Sequence, residues 1–232
     1  MCGRYTLTVG AEEIIDHFGA LSRYADLAAH LPRYNVAPGQ TMPIVRAGTT
    51  APELVAAHWG LIPFWAKEAA IGAHLFNARA DTVAVKPAFK AAFKRRRCLI
   101  PADGFYEWKT EGPARGPKQA YRFVLKEGGL FAFAGIWERW ANPDGQAVES
   151  YAIITTAANA TLKPIHERMP VIVPREHYTR WLGMKRDPAF ALTLIEPVPN
   201  GVLRAVPVGN IVNNATHDAP ECIAPIELPA MR

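Results

Sequence analysis

The sequence opens Met1-Cys2-Gly3-Arg4-Tyr5, and its second residue has an unusual chemical option. Methionine aminopeptidases remove an initiator Met ahead of a small side chain, and Cys is small enough. Removal would leave Cys2 with a free α-amine beside its thiol. Such a 1,2-aminothiol attacks an aldehyde through nitrogen to give an imine. The sulfur then adds to the imine carbon and closes a five-membered thiazolidine. An α-amine titrates near ~8 and a thiol near ~8.5, so both nucleophiles are usable at neutral pH, whereas a lysine near ~10.4 stays protonated unless desolvated.

Other residues carry proton-transfer or gripping chemistry. Glu107 lies between Tyr106 and Trp108. An apolar setting raises a carboxyl pKa and suits a general acid. His166 stands in a loop bounded by Pro164 and Pro170, which holds an imidazole able to exchange protons near neutrality. Asn77 and Arg79 are two residues apart, so in an extended segment both project to one side. An amide orients a nucleophile by hydrogen bonding, and a guanidinium grips a phosphate bidentately. Trp65 and Trp108 lie beside Gly/Pro breaks or Glu107 and offer faces for base stacking, while Trp59 is expected in the core. The run Lys94 to Arg97 reads as a solvated helix end.

Several elements must position these groups. A short strand is expected over 3–9, then a helix over 11–18 stopped by Gly19. Residues 33–40 read as a loop from their Asn, Pro and Gly content. Strands are expected at 42–46 and 53–59, and Pro87 opens a helix running through Phe93. Residues 98–100 read as a buried strand, 104–109 as extended, and 111–119 as an exposed loop. A hairpin is expected from 121–125 and 130–137 around Gly128-Gly129. Further strands fall at 151–156, 171–173 and 202–206. Short helices fall at 157–163, 174–181 and 188–194, with 164–170 a kinked loop. There is no βαβ alternation and no fixed-period repeat. The expectation is a single α+β domain over 1–232, with short helices flanking a mostly antiparallel, partly closed, barrel-like β-sheet.

Composition agrees with a folded domain. Half of the 232 residues are apolar and 20% are charged, enough for a sizeable core and against disorder. The net charge of +5 is compatible with a polyanionic partner. Three cysteines, Cys2, Cys98 and Cys222, form no CxxC pair, so neither a zinc site nor a disulfide framework is expected, and the count suits a reducing cytosol. No leader and no membrane-length apolar run is apparent.

Taken together, Met1 to Tyr5, Tyr34-Asn35-Val36-Ala37-Pro38, Trp59 to Pro63, Asn77-Ala78-Arg79, Gly104 to Trp108 and His166 to Pro170 resemble the SOS response-associated peptidase family, in family order. The resemblance implies a protein that shields abasic sites in single-stranded DNA, whose open sugar is an aldehyde. It implies Cys2 as the thiazolidine-forming nucleophile, Asn77 as its orienting group, Glu107 as acid/base and His166 as a proton-transfer partner. Arg4, Asn35 and Arg79 would hold the DNA backbone, with Trp65, Trp108 and Pro38 against bases. The peptidase label fits removal of residue 1 to expose Cys2. No cofactor, a monomeric state and a cytoplasmic location are the matching expectations. Two other readings stay open: a Cys2/His166 thiol hydrolase, and a non-catalytic single-strand binder.

Overall fold

The β-rich pattern of the sequence resolves into two sheets. The computed structural model describes residues 2–110, 116, 118–142, 144–183 and 188–228. In chain order the strands are β1 (Tyr5–Leu7), β2 (Leu21–Ser22), β3 (Arg33–Val36), β4 (Thr41–Arg46), β5 (Glu53–Trp59), β6 (Asn77–Arg79), β7 (Arg97–Ala102), β8 (Gly104–Thr110), β9 (Lys118–Leu125), β10 (Phe131–Ala141), β11 (Ala147–Ala157), β12 (Arg168–Pro170), β13 (Ile172–Val173) and β14 (Leu203–Pro207). The α-helices are α1 (Ala11–Phe18), α2 (Lys90–Arg95), α3 (Tyr178–Trp181) and α4 (Pro188–Thr193).

One sheet runs β14-β9-β8-β1-β3 and is antiparallel throughout. The other is built on β11-β10-β7-β4-β5 and closes on itself. Closure comes from a parallel pairing of β11 with β5, Ser150 against His58 and Tyr151 against Trp59. Closure removes the free edges of those strands and encloses an apolar interior. The α+β, barrel-like class expected from the sequence is therefore the observed one. Buried Ile100, Phe133, Ile153 and Trp59 fill a core that extends to Tyr5, Phe105 and Phe123 of the other sheet. Gly135 is needed at the tight β10–β7 pairing: a Cβ there would lie 2.6 Å from Ile100 Cδ1 and 2.8 Å from Cys98 Sγ. Trp59 is fully buried, as expected, and its Nε1 donates to the Phe76 carbonyl at 2.9 Å.

Helix α1 forms where its apolar spacing requires. Ile14 and Phe18 are buried, and Gly19 ends it at φ 56° in the left-handed region. Several expectations are corrected. Residues 33–36 are a strand, not a loop, because β1 supplies backbone partners that override the local Asn/Pro/Gly signal. The strands flanking Gly128-Gly129 do not form a hairpin: β9 pairs with β8 and β14, whereas β10 joins the barrel. The glycines turn the chain between sheets, at φ 74° and 83°. The helix expected over 157–163 is absent, Ala157 ending β11 and residues 160–165 forming turns, and 168–170 pair with β11 as a strand rather than a loop. Helix α2 begins at Lys90, after a run of turns that includes Pro87. Most of the loop expected over 111–119 lies outside the described residues, as do Met1 and Asp187, but Lys118 and Gln119 open β9.

Candidate active site

Two sheets deliver the chemistry-bearing residues to one place. Cys2 precedes β1, which pairs with β8 in the register Tyr5 against Phe105. Continuing that register toward the start of the chain brings the first residues alongside Glu107. From the barrel side, β6 lies parallel to β11, Asn77 against Ile153. Asn77 Nδ2 donates to the Cys2 carbonyl oxygen at 2.8 Å. Asn77 Oδ1 is buried and has no hydrogen-bond partner among the described residues. The extended reading of 77–79 holds: Ala78 points into the core between half-buried Asn77 and exposed Arg79.

Electrostatics follow from burial. Cys2 is fully buried, and loss of solvent, with the Glu107 carboxyl nearby, pushes its thiol well above the usual range. Glu107 is 3% exposed, and burial pushes its carboxyl up to about 7. At neutral pH it is thus divided between acid and base forms, the condition a proton-transfer group needs. His166 is partly buried, which lowers its pKa. His166 Nδ1 lies 3.0 Å from the backbone nitrogen and 3.1 Å from the carbonyl oxygen of Arg168, so the backbone of that residue holds the ring.

Glu107 and His166 line the same cleft, of about 520 Å³, together with Gly3, Arg4, Trp108 and Asn213. The four residues are thus linked in sequence: Asn77 bonds the Cys2 carbonyl, the Glu107 carboxyl lies close enough to raise the Cys2 thiol, and Glu107 shares its cleft with His166. Phe76 and Lys118 complete the cleft wall. Neither was singled out in the sequence, because an aromatic before a strand and a lysine after a loop are common. Among the described residues no group of three His, Cys, Asp or Glu side chains is placed to hold a metal ion.

The residues expected to hold DNA divide. Arg4 lies in the cleft 5.8 Å from the Trp108 ring centroid, and Trp108 Nε1 donates to Asn213 Oδ1 at 2.7 Å. Arg79 is exposed and bonded to Asp81 at 2.6 Å. Trp65 is 50% exposed and Pro38 is half-buried. Asn35 differs. It is fully buried, its Oδ1 accepts from Arg4 Nη1 at 2.7 Å, and its Nδ2 reaches the carbonyls of Val212, Asn214 and His217. In this arrangement its amide braces the C-terminal segment against β3 and faces no solvent.

A closed β-barrel and an antiparallel sheet, with a second-residue cysteine buried where they meet, beside a carboxyl that shares its cleft with an imidazole, define the class. The model of the SOS response associated peptidase (SRAP) family matches residues 1–215. The chain belongs to that family. It is 39% identical over 224 residues to the abasic site processing protein YoqW of Bacillus subtilis (strain 168), covering 96% of this chain and 99% of that protein. It is 31% identical to the abasic site processing protein HMCES of Mus musculus, covering 98% of this chain and 77% of that protein. Among solved structures, a protein from Bacteroides thetaiotaomicron superimposes with a TM-score of 0.88 at 27% identity, over 97% of this chain and all of that one. No helix among the described residues is long and apolar enough to cross a membrane.

Proposed function

We propose that this protein captures abasic sites in single-stranded DNA as a covalent thiazolidine on Cys2, after residue 1 has been removed. The observation that carries this reading is the buried Cys2, held through its carbonyl by Asn77 and lying beside a carboxyl poised near neutrality. The names of the relatives, abasic site processing proteins, point the same way.

Hydrolysis of the Met1–Cys2 peptide bond consumes one water and releases the Cys2 amine. The amine attacks the sugar aldehyde, and the carbinolamine loses one water to give the imine. Glu107 in its acid form protonates the departing hydroxyl. The Cys2 thiol then adds across the C=N bond: sulfur bonds to carbon and the thiol proton ends on nitrogen. His166 and Glu107 relay that proton. A buried thiol is a poor free nucleophile, but here the imine is formed on the same residue, its carbon placed to close a five-membered ring with the sulfur, and proximity offsets the missing ionisation. The same burial weighs against a Cys–His hydrolase, which must present a thiolate to a separate substrate. Arg4, Arg79, Trp65, Trp108 and Pro38 are assigned to the DNA strand, as is Lys118 at the cleft wall.

The test is a variant whose N-terminus is extended by a residue that cannot be removed. The aminothiol reading predicts no denaturant-stable adduct with an abasic oligonucleotide. Full adduct formation by the extended protein would exclude it.

A further inference from the structure

The basic run Lys94 to Arg97 has a different setting from a solvated helix end. Only Lys94 and Arg95 are exposed; Arg97 is buried and donates to the carbonyls of Trp181 and Phe93. Helices α2 and α4 flank a groove of about 900 Å³. Its floor presents Phe64, Ala84, Ala91, Ala189 and Leu192. Phe64 is 59% exposed and Leu192 45%, an unusual outlay of large apolar side chains at one place. Its rim carries Lys90, Lys94, Arg95 and Arg139, all exposed, with Lys90 and Lys94 one turn apart on α2. Among the described lining residues the carboxylate is Glu138, which is nearly covered and is bound to Arg96 at 2.7 Å. The rim charge is therefore not neutralised from within. No residue that lines the Glu107/His166 cleft lines this groove.

We infer that this groove docks an acidic peptide segment of a partner protein, with an apolar side chain seated on the Phe64/Leu192 floor and carboxylates against the α2 rim. Charge complementarity selects the acidic ligand. The floor selects a peptide over a nucleic-acid strand. The floor is aliphatic apart from the Phe64 ring, so it offers successive bases little stacking surface, whereas a peptide seats one apolar anchor there and sets its carboxylates against the rim. The inference is independent of the chemistry at Cys2.

The experiment measures fluorescence anisotropy of the full chain with a fluorescein-labelled peptide, a run of Asp and Glu ending in Leu-Phe, at physiological salt. Saturable binding is expected. Replacing Leu-Phe by Ser-Ser in the peptide should weaken it at least ~10-fold. So should the protein variant Lys94→Glu/Arg95→Glu, and separately Leu192→Asp, with circular dichroism and abasic-site adduct formation unchanged. An unlabelled oligothymidylate should not displace the peptide. Absence of saturable binding would overturn the inference, as would equal binding of the Ser-Ser peptide. Displacement by oligothymidylate would also overturn it and assign the groove to nucleic acid.

Discussion

The side-chain amide of Asn77 donates to the backbone carbonyl of Cys2 at 2.8 Å, joining the barrel to the start of the chain across 75 residues. This bond fixes where the Cys2 backbone stands relative to the cleft. Asn77→Ala should slow single-turnover adduct formation by about 10–100-fold, the range expected when one buried hydrogen bond worth ~1–3 kcal/mol is lost. Asn77→Asp should be at least as slow, because a carboxylate cannot donate to that carbonyl. A wild-type rate for Asn77→Asp would show that the bond plays no part.

Glu107 gives a pH signature. Its carboxyl is pushed up to about 7 by burial, so the acid form dominates below that value. If the acid form drives imine formation, the adduct rate should fall as pH rises through about 7. Glu107→Gln should remove that limb and lower the rate ~100-fold or more. The same shift has a stability consequence. Folding favours the protonated carboxyl, so the stabilisation present below the ordinary 4.5 is lost as pH rises to about 7. Glu107→Gln should therefore melt higher than the parent at pH 8 and no higher at pH 4, by differential scanning fluorimetry.

Arg79 is held by Asp81 in an exposed ion pair, with side chains 56% and 54% accessible. Such a pair contributes little to stability, so a phosphate can compete for the guanidinium. Arg79→Ala should weaken single-strand binding roughly 5-fold and reduce the salt slope by about one contact. Asp81→Asn should tighten binding by ~2–5-fold because it leaves the guanidinium uncommitted. Tighter binding by Arg79→Ala would remove the residue from the DNA surface.

Asn35 acts through the fold. Its amide joins Arg4 and the carbonyls of residues 212, 214 and 217, and Asp218 accepts from the backbone N–H groups of Tyr34 and Asn35. Asn35→Ala leaves several buried polar atoms unsatisfied. It should cost about 2–3 kcal/mol, or roughly 5–10 °C in thermal midpoint for a chain of this size. An unchanged midpoint with weakened DNA binding would restore Asn35 to the DNA-contacting set.

Much of this was legible in the sequence where short-range rules decide. Helix α1 and its Gly19 stop follow from local spacing, and β4, β5, β7 and β11 from runs of apolar residues. Long-range pairing was not legible. That residues 33–36 form a strand depends on β1, and that β10 leaves β9 for the barrel depends on β7 and β11. The same divide holds for the site. Glu107 could be read as a carboxyl in an aromatic setting, and Asn77-x-Arg79 as an extended pair. The meeting of Cys2 with Asn77 rests on a sheet contact that no local signal encodes. The buried, bracing role of Asn35 likewise depends on residues almost 180 positions away.

The central claim is that a terminal amine and its own thiol together bind the sugar carbonyl. Intact-mass spectrometry of the protein mixed with an abasic oligonucleotide, followed by peptide mapping, tests it most directly. The account predicts a species lacking Met1, heavier by the oligonucleotide less one water, linked at Cys2, and no such stable species for Cys2→Ser. A stable adduct that retains Met1, maps to a lysine, or forms undiminished in Cys2→Ser would contradict it.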